Sequence, residues 1–380
     1  MKSFCGYFNL GTCRSCSLIE LSYQEQVQEK EQRLLAALKD FGSFSHLSTY
    51  SSKSVEFRNK AKLSVTGTVE DPVIGLMGES ELDSGREILA CPLHHPEINS
   101  ILTEMPQFIR EVKLQPYQVK TKTGELKGLI LFHSESSHET SLRFVLRSRE
   151  SYDRIKKIMP SLQAKFPGLV CISINLQPIA HAILEGPTEI MLTERTYIRH
   201  QLNGIGVNYH PQAFAQTNQE VAMALYSTAA AWIKELNCTK FCEIFCGQGA
   251  FSFFSAPFIK QGLGIEINPE AVIQANNTAK EFKLSHLNFK CADANQVEKE
   301  LLTFAPDVVL VNPPRKGLGK SVEYLINGTY EHIIYSSCSL ESLTADMEKL
   351  QTRYTIVKAQ IFDMFPHTKH FETLTLLKRK

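Results

Sequence analysis

Cys338 closes a run of apolar and hydroxyl residues, IIYSSCS, that reads as a β-strand, and Glu372 opens the last apolar run, ETLTLLK. A thiol and a carboxylate brought to one rim could divide nucleophilic and base work between them. That division suits methylation at C5 of a pyrimidine. C5 of uracil is a poor nucleophile. Adding a thiolate to C6 turns C5 into an enolate carbon that can take an electrophilic methyl group, and a base must then remove the C5 proton so that the thiol can leave. A cytosine-C5 enzyme could use the same thiolate, often with a second cysteine to assist release; Cys242 and Cys246 belong to an earlier strand and the loop after it. Residue type alone leaves a plainer reading open. A cysteine at a strand end is commonly a buried core residue, and a glutamate before an apolar strand is commonly a solvated strand end.

Four further segments fall where strands end. FCGQG, residues 245–249, lies between a strand and a helix, and Gly247 and Gly249 let the backbone pass close to a ligand. About 17 residues on, GIEIN places Glu266 where a carboxylate can accept both ribose hydroxyls of a nucleotide-like cofactor. Asp293 in KCADAN could receive an adenine amino group, and NPPRKG, residues 312–317, ends another strand. Carboxyl ends of strands are where open α/β sheets bind ligands. A dinucleotide would call for G-x-G-x-x-G, whereas the run here is G-Q-G-A-F-S, with Ser252 at the third position. S-adenosylmethionine has no pyrophosphate to neutralise, so the shorter loop suffices. A NAD-dependent oxidoreductase is thereby disfavoured.

Cys5, Cys13 and Cys16 follow C-x7-C-x2-C, and Cys91 lies in ILACPLHHP. Three clustered cysteines and a remote fourth can close a four-thiolate site, and the spacing admits zinc or an iron–sulfur cluster. His94 and His95 add a zinc alternative, and unligated thiols are the plain reading. Cys171, Cys238 and Cys291 read as core residues. Arg58, Lys60 and Lys62 alternate and would share one strand face that could follow phosphates, as could Arg315, Lys316 and Lys320. The same face could simply be solvated.

The elements that must position these residues fall into two patterns. After about residue 205, apolar strands alternate with helices, which implies a parallel sheet wrapped on both faces. Asn218 is placed to cap a long helix running to Leu236. Between about 55 and 195, KLSVTGTV, LKGLILFHS, TSLRFVLRS, LVCISINLQ, HAILEG and TEIML read as strands, with one helix over 152–165. That is an α+β region with a mainly antiparallel sheet. Residues 19–41 read as a polar helix, and the Ser-rich stretch 43–54 as a linker. The expected domains are thus 1–50, a cysteine segment and helix; 51–204, a central RNA-binding domain that supplies Cys91; and 205–380, the catalytic domain. With 41 Lys and Arg against 40 Asp and Glu, the chain has no global basic footprint, so nucleic-acid contact must come from local patches. No apolar run reaches a membrane span, and the N-terminus lacks a signal-peptide pattern, so a cytoplasmic protein, expected to be monomeric, is the reading. Ten cysteines in that compartment are not expected to form disulfides.

Taken in order, the N-terminal cysteines, FRNKAK, LRFVLRS, QAFAQTN, FCGQG, GIEI, VNPPRKG, IIYSSC and FDMFPHTKHFETLTLL resemble the RNA uracil-C5 methyltransferases over nearly the whole chain. The resemblance implies a class I Rossmann-like fold, S-adenosylmethionine as methyl donor and a covalent route. It assigns Cys338 as the nucleophile and Glu372 as the proton-abstracting base. It places Gln216, Phe245, Glu266, Asp293 and Asn312 on the cofactor, and it favours a [4Fe–4S] cluster on Cys5, Cys13, Cys16 and Cys91. The chain departs from the family pattern in having Glu243 before the glycine loop, Ser339 and Leu340 after the nucleophile, and Asn312 where several relatives carry Asp. The tRNA-directed members lack the cysteine cluster, and one group of 23S rRNA enzymes carries an added N-terminal barrel. A first cysteine at residue 5 therefore points to the other group of 23S rRNA enzymes. Their target must be a looped or flipped-out uridine, because pairing hides the C5–C6 edge. Another RNA site within the family, or a non-catalytic RNA-binding iron–sulfur protein, are the competing readings; the second would be expected to lack the nucleophile or the base.

Overall fold

The computed structural model describes residues 3–78, 84–179 and 184–380. The chain begins with α1 (Gly6–Asn9), α2 (Tyr23–Leu38), β1 (Ser45–Tyr50), β2 (Lys60–Gly67), β3 (Pro72–Met77), β4 (Gly85–Glu87) and α3 (Pro96–Glu111). It continues with β5 (Leu126–Ser134), β6 (Glu139–Leu146), α4 (Tyr152–Lys165), β7 (Leu169–Leu176), β8 (Thr188–Met191), β9 (Ile198–Leu202), β10 (Ile205–Tyr209) and α5 (Gln219–Glu235). The remainder is β11 (Lys240–Ile244), α6 (Ala250–Ser255), β12 (Gln261–Glu266), α7 (Pro269–Glu281), β13 (Leu287–Cys291), α8 (Glu298–Phe304), β14 (Val308–Val311), α9 (Ser321–Asn327), β15 (His332–Ser337), α10 (Leu340–Leu350), β16 (Tyr354–Phe362) and β17 (Glu372–Arg379). Among the described residues no helix is long and apolar enough to cross a membrane.

Two compact units result, and they cut the chain elsewhere than at the expected boundaries 50 and 204. The first comprises residues up to Cys16, Ser54–His200 and Asn208–Gln212; the second comprises Ser17–Lys53, Gln201–Val207 and Ala213–Lys380. The reason lies in where α2 hides its apolar side. Leu34 and Leu38 are fully buried in one cluster with Tyr335, Leu343 and Met347, so the helix belongs with the second unit although it follows the cysteines in sequence. The stretch expected as a linker holds β1, which pairs in parallel with β16 from Ser45↔Lys358 to Tyr50↔Phe362. Polar composition suggested a loop, but a half-exposed edge strand tolerates Ser and Thr.

The first unit has a seven-stranded sheet in the order β4-β3-β2-β5-β6-β7-β8, antiparallel except where β6 meets β7. The parallel join needs a crossover, and α4 supplies it. α3, which the sequence reading lacked, buries Ile98, Ile101, Leu102, Met105, Phe108 and Ile109. These recur at helical spacing, behind Pro96 at the first turn. Pro106 inside the helix obscured the pattern. The proposed strand HAILEG begins outside the described residues, and 184–186 are not in a strand.

The second unit has an eight-stranded sheet, β1-β16-β17-β15-β14-β11-β12-β13. The run from β15 to β13 is parallel, and β17 is antiparallel to both β15 and β16. This is the α/β methyltransferase arrangement expected after residue 205, with α8 as an additional short helix between β13 and β14. Asn218 caps α5, accepting from Val221 N–H at 3.3 Å. The inserted β17 returns the chain so that Glu372 pairs with Phe362 while Thr373 pairs with Ser337, one residue before Cys338.

Candidate active site

The glycine loop, Gln216, Cys338 and Glu372 all belong to the second unit. Behind β11 the loop turns sharply. Phe245, Gly247 and Gly249 have φ of 64°, 54° and 83°. A side chain at Gly249 would meet the Phe289 ring at 2.5 Å, whereas one at Gly247 would meet nothing within 4 Å. Gly247 thus faces open space, as a loop that admits a ligand must. Glu266 ends β12 and accepts from Gly247 N–H at 3.0 Å and Asn268 N–H at 2.9 Å, which ties the glycine loop to the next strand. Asp293 caps a short turn, accepting from Asn295 N–H at 2.9 Å. Asn312 follows β14, and its N–H reaches Ile244 O at 3.4 Å. Glu243 is buried on β11, accepting from the Ser252 N–H at 2.9 Å and from its hydroxyl; burial pushes its carboxyl up to about 8.

Cys338 and Glu372 come together at the end of β15. Burial raises the Cys338 thiol, and the nearby Glu372 raises it further, while Arg315 opposes both by its charge and by a hydrogen bond to the sulfur. Glu372 is buried, and burial pushes it to about 8 against the hydrogen bond from Gln216 and the charge of Arg315. Among the described residues, its Oε2 has no hydrogen-bond partner. A buried carboxylate oxygen left open beside a thiol is available to a substrate proton. Gln216, expected on the cofactor, donates a hydrogen bond to this carboxylate. Arg315 was read from sequence only as a phosphate contact; its place between thiol and carboxylate depends on tertiary structure. Asp346 was not singled out at all. Its Oδ2 accepts from Leu318 N–H at 2.8 Å and from Tyr335 O–H at 2.6 Å, joining the loop that carries Arg315 to the strand that carries Cys338. Gly317, at φ 80°, is required there, because a Cβ would lie 2.6 Å from that same oxygen. Cys242 and Cys246 are buried with thiols pushed up by desolvation, which suits core packing rather than assistance in catalysis.

In the first unit Cys16 lies within electrostatic reach of Cys5, Cys13 and Cys91, and Cys91 within reach of Cys5. Cys16 is pushed up to about 12, by burial first and then by Cys91, Cys13 and Cys5, with Arg58 opposing. Tyr7 ties the N-terminal turn to the remote segment, its hydroxyl accepting from Leu89 and Ala90 N–H at 3.2 and 3.1 Å. Among the described residues, no group of three or more His, Cys, Asp or Glu side chains that could hold a metal ion is found. His94 is buried and pushed down to about 4. Cys171 and Cys238 are buried as expected, but Cys291 is exposed, with its sulfur 3.5 Å from Ile267 O. The basic stripe is weaker than its sequence suggests: Lys62 is paired with Glu185, and burial pushes Lys60 down to about 8.

A family model described as tRNA (Uracil-5-)-methyltransferase matches residues 22–380. The 23S rRNA (uracil(747)-C(5))-methyltransferase RlmC of Proteus mirabilis is 40% identical over 376 residues, covering 98% of each chain. That of Haemophilus influenzae (strain PittEE) is 38% identical over 387 residues, covering 99% of this chain and 98% of its own. Among solved structures, Pyrococcus abyssi tRNA (uracil-54, C5)-methyltransferase in complex with S-adenosyl-L-homocysteine superposes with a TM-score of 0.79 at 24% identity, covering 96% of this chain and 85% of that one, which shows a shared fold. With the family model spanning both units and the relatives matching end to end, the chain belongs to the tRNA (uracil-5-)-methyltransferase family.

Proposed function

We propose that this protein methylates C5 of a uridine in 23S rRNA, at a site of the 747 type, by a covalent route on Cys338. The observation that carries the reading is the meeting of Cys338, Arg315 and Glu372, with one carboxylate oxygen left without a partner among the described residues. Arg315 favours the thiolate, which adds to C6 of the uracil. The electron pair moves to C5, which takes the methyl group and becomes tetrahedral. Glu372 Oε2 accepts the C5 proton, the C5–C6 double bond re-forms, and the thiolate leaves. A carboxyl near 8 is matched to working pH, strong enough to take a proton yet present in part as the carboxylate. Gln216 holds the other side of that carboxylate.

S-adenosylmethionine supplies the electrophilic methyl group when bound. The open face of Gly247 and the rim position of Glu266 fit it. Glu266 is assigned to its ribose hydroxyls and Asp293 to its adenine, with Phe245, Gly249 and Asn312 completing the cradle. The target uridine must be unpaired or extruded, which costs a few kcal/mol when it starts in a helix. In the first unit, Cys5, Cys13, Cys16 and Cys91 are assigned to a [4Fe–4S] cluster. The gathering of four thiols from two remote segments supports that donor set. The same unit is assigned to RNA binding, with exposed Arg58 among its contacts. Mapping 5-methyluridine in 23S rRNA tests the reading: a deletion strain should lack one modification, and this chain should restore it. Restoration at a tRNA position alone would redirect the substrate assignment.

A further inference from the structure

Residues 363–371 lead from β16 to Glu372 and contain no helix or strand. Such a segment must be held from outside if it is to present a buried carboxylate at one place, because a free loop samples many conformations. The support comes from α2, in the same unit. Lys30 Nζ lies 2.6 Å from Asp363 Oδ1, with both side chains fully buried. It also donates to Phe365 O at 3.2 Å. The Tyr23 hydroxyl donates to the other Asp363 oxygen at 2.8 Å. Gln26 brackets His367: its Oε1 accepts the backbone N–H at 2.8 Å, and its Nε2 lies 3.2 Å from the ring Nδ1. Arg33 donates to Lys369 O, and its guanidinium lies over the Phe371 ring. Gln26, Lys30 and Arg33 recur at helical spacing on one face. His367 sits at φ 66°, a conformation that a non-glycine residue keeps only when its surroundings impose it.

A buried ion pair is a poor source of stability, since desolvating both charges offsets their attraction and apolar residues of like volume often do as well. What it offers is defined geometry. We propose that Lys30 and Gln26 are positioning residues for the base: α2 is a splint that fixes residues 363–371, and through them the Glu372 carboxylate, against Cys338. The inference rests on the reading of Glu372 as the base. Its signature is selective loss of proton abstraction, the step that needs Glu372, with thiol addition and methyl transfer retained.

The test uses the full chain with a 23S rRNA fragment, S-adenosylmethionine, and two variants that act on separate turns of α2. Lys30→Met/Asp363→Leu replaces the ion pair by apolar residues, and Gln26→Leu releases His367. Thermal melting checks that each folds. Single-turnover methyl transfer should stay near that of the parent, while product release slows by about 10–100-fold, the scale for a misplaced catalytic group. A methylated protein–RNA adduct should therefore accumulate on denaturing gels. Glu372→Gln runs alongside. Should Glu372→Gln trap the adduct while both α2 variants fold and release product at the parental rate, the splint is refuted and the base stands. Equal slowing of transfer and release would also refute it, by marking a general structural role. Normal turnover by Glu372→Gln would remove the base assignment and the splint together.

Discussion

Burial raises the thiols of both Cys338 and Cys16, but the neighbours of the two sulfurs differ in kind. Cys338 has one carboxyl neighbour, Glu372, and a guanidinium, Arg315, that hydrogen-bonds it. Cys16 has three other thiols around it and only Arg58 in opposition. A single thiolate needs one cation to become available for attack and can be released again afterwards. Four thiolates in one place repel one another beyond what one arginine can offset, so they are stable together only around a polycationic centre. On the proposed reading, the same residue type would serve transient covalent chemistry in one unit and permanent ligation in the other.

The largest effect that could break this comparison is at Cys5, Cys13, Cys16 and Cys91. Anaerobically purified protein is expected to be brown with about four irons per chain, and Cys91→Ser should lose the visible absorbance while the second unit still binds S-adenosylmethionine. Stoichiometric zinc without visible absorbance would remove the cluster and leave only a four-thiolate site. At the reactive thiol, Arg315→Ala should slow adduct formation by about 10–100-fold, the equivalent of a lost hydrogen bond to a charged group, roughly 1.5–3 kcal/mol. The deficit should shrink as pH rises toward the thiol's own ionisation. A loss independent of pH would assign Arg315 to RNA contact instead.

A smaller effect is expected from Glu266→Ala. Two backbone N–H groups already occupy part of that carboxylate, so cofactor affinity should fall by about 1–3 kcal/mol by calorimetry. Unchanged affinity would place the ribose elsewhere. The mildest effect concerns stability. Glu243 and Glu372 keep their protons in the folded chain up to about 8, against 4.5 for an ordinary glutamate. Between those values the folded state binds more protons than the unfolded, so their contribution to stability falls as pH rises from about 4.5 through 8 and levels off above it. Glu243→Gln should flatten that decline by a few degrees in melting temperature across the interval. A profile as steep as the parent's would show that Glu243 ionises normally.

Much of this architecture is legible in the sequence, for identifiable reasons. LKGLILFHS and YTIVKAQIF are apolar enough to be strands in any context, and both are strands over those same residues. The alternation after residue 205 sets the order of loops along a parallel sheet, so the rim positions of Gly247, Glu266 and Asp293 follow from chain order alone. Other features require partners distant in sequence. β1 forms because β16 offers an edge, not because SHLSTY prefers a strand. α3 was hidden by Pro106, although its six buried apolar residues carry the helical period. Gln216 and Arg315 converge from two separate loops on Glu372 at the start of β17, and no spacing rule encodes that. Cys291 reads as core by residue type, yet it sits exposed at a strand end.

The most direct test of the covalent route is to follow the protein–RNA adduct in three proteins on denaturing gels, with a radiolabelled methyl donor and an unpaired 23S rRNA fragment. The parent should turn over with little adduct on uridine RNA and trap it on 5-fluorouridine RNA, where fluorine cannot leave as a cation. Glu372→Gln should accumulate a methylated adduct, because addition and transfer precede the step that needs the base. Cys338→Ala should give neither adduct nor product. A Cys338→Ala protein that makes 5-methyluridine would contradict the account outright; an adduct-free, inactive Glu372→Gln would keep the nucleophile but reassign Glu372 to holding the substrate.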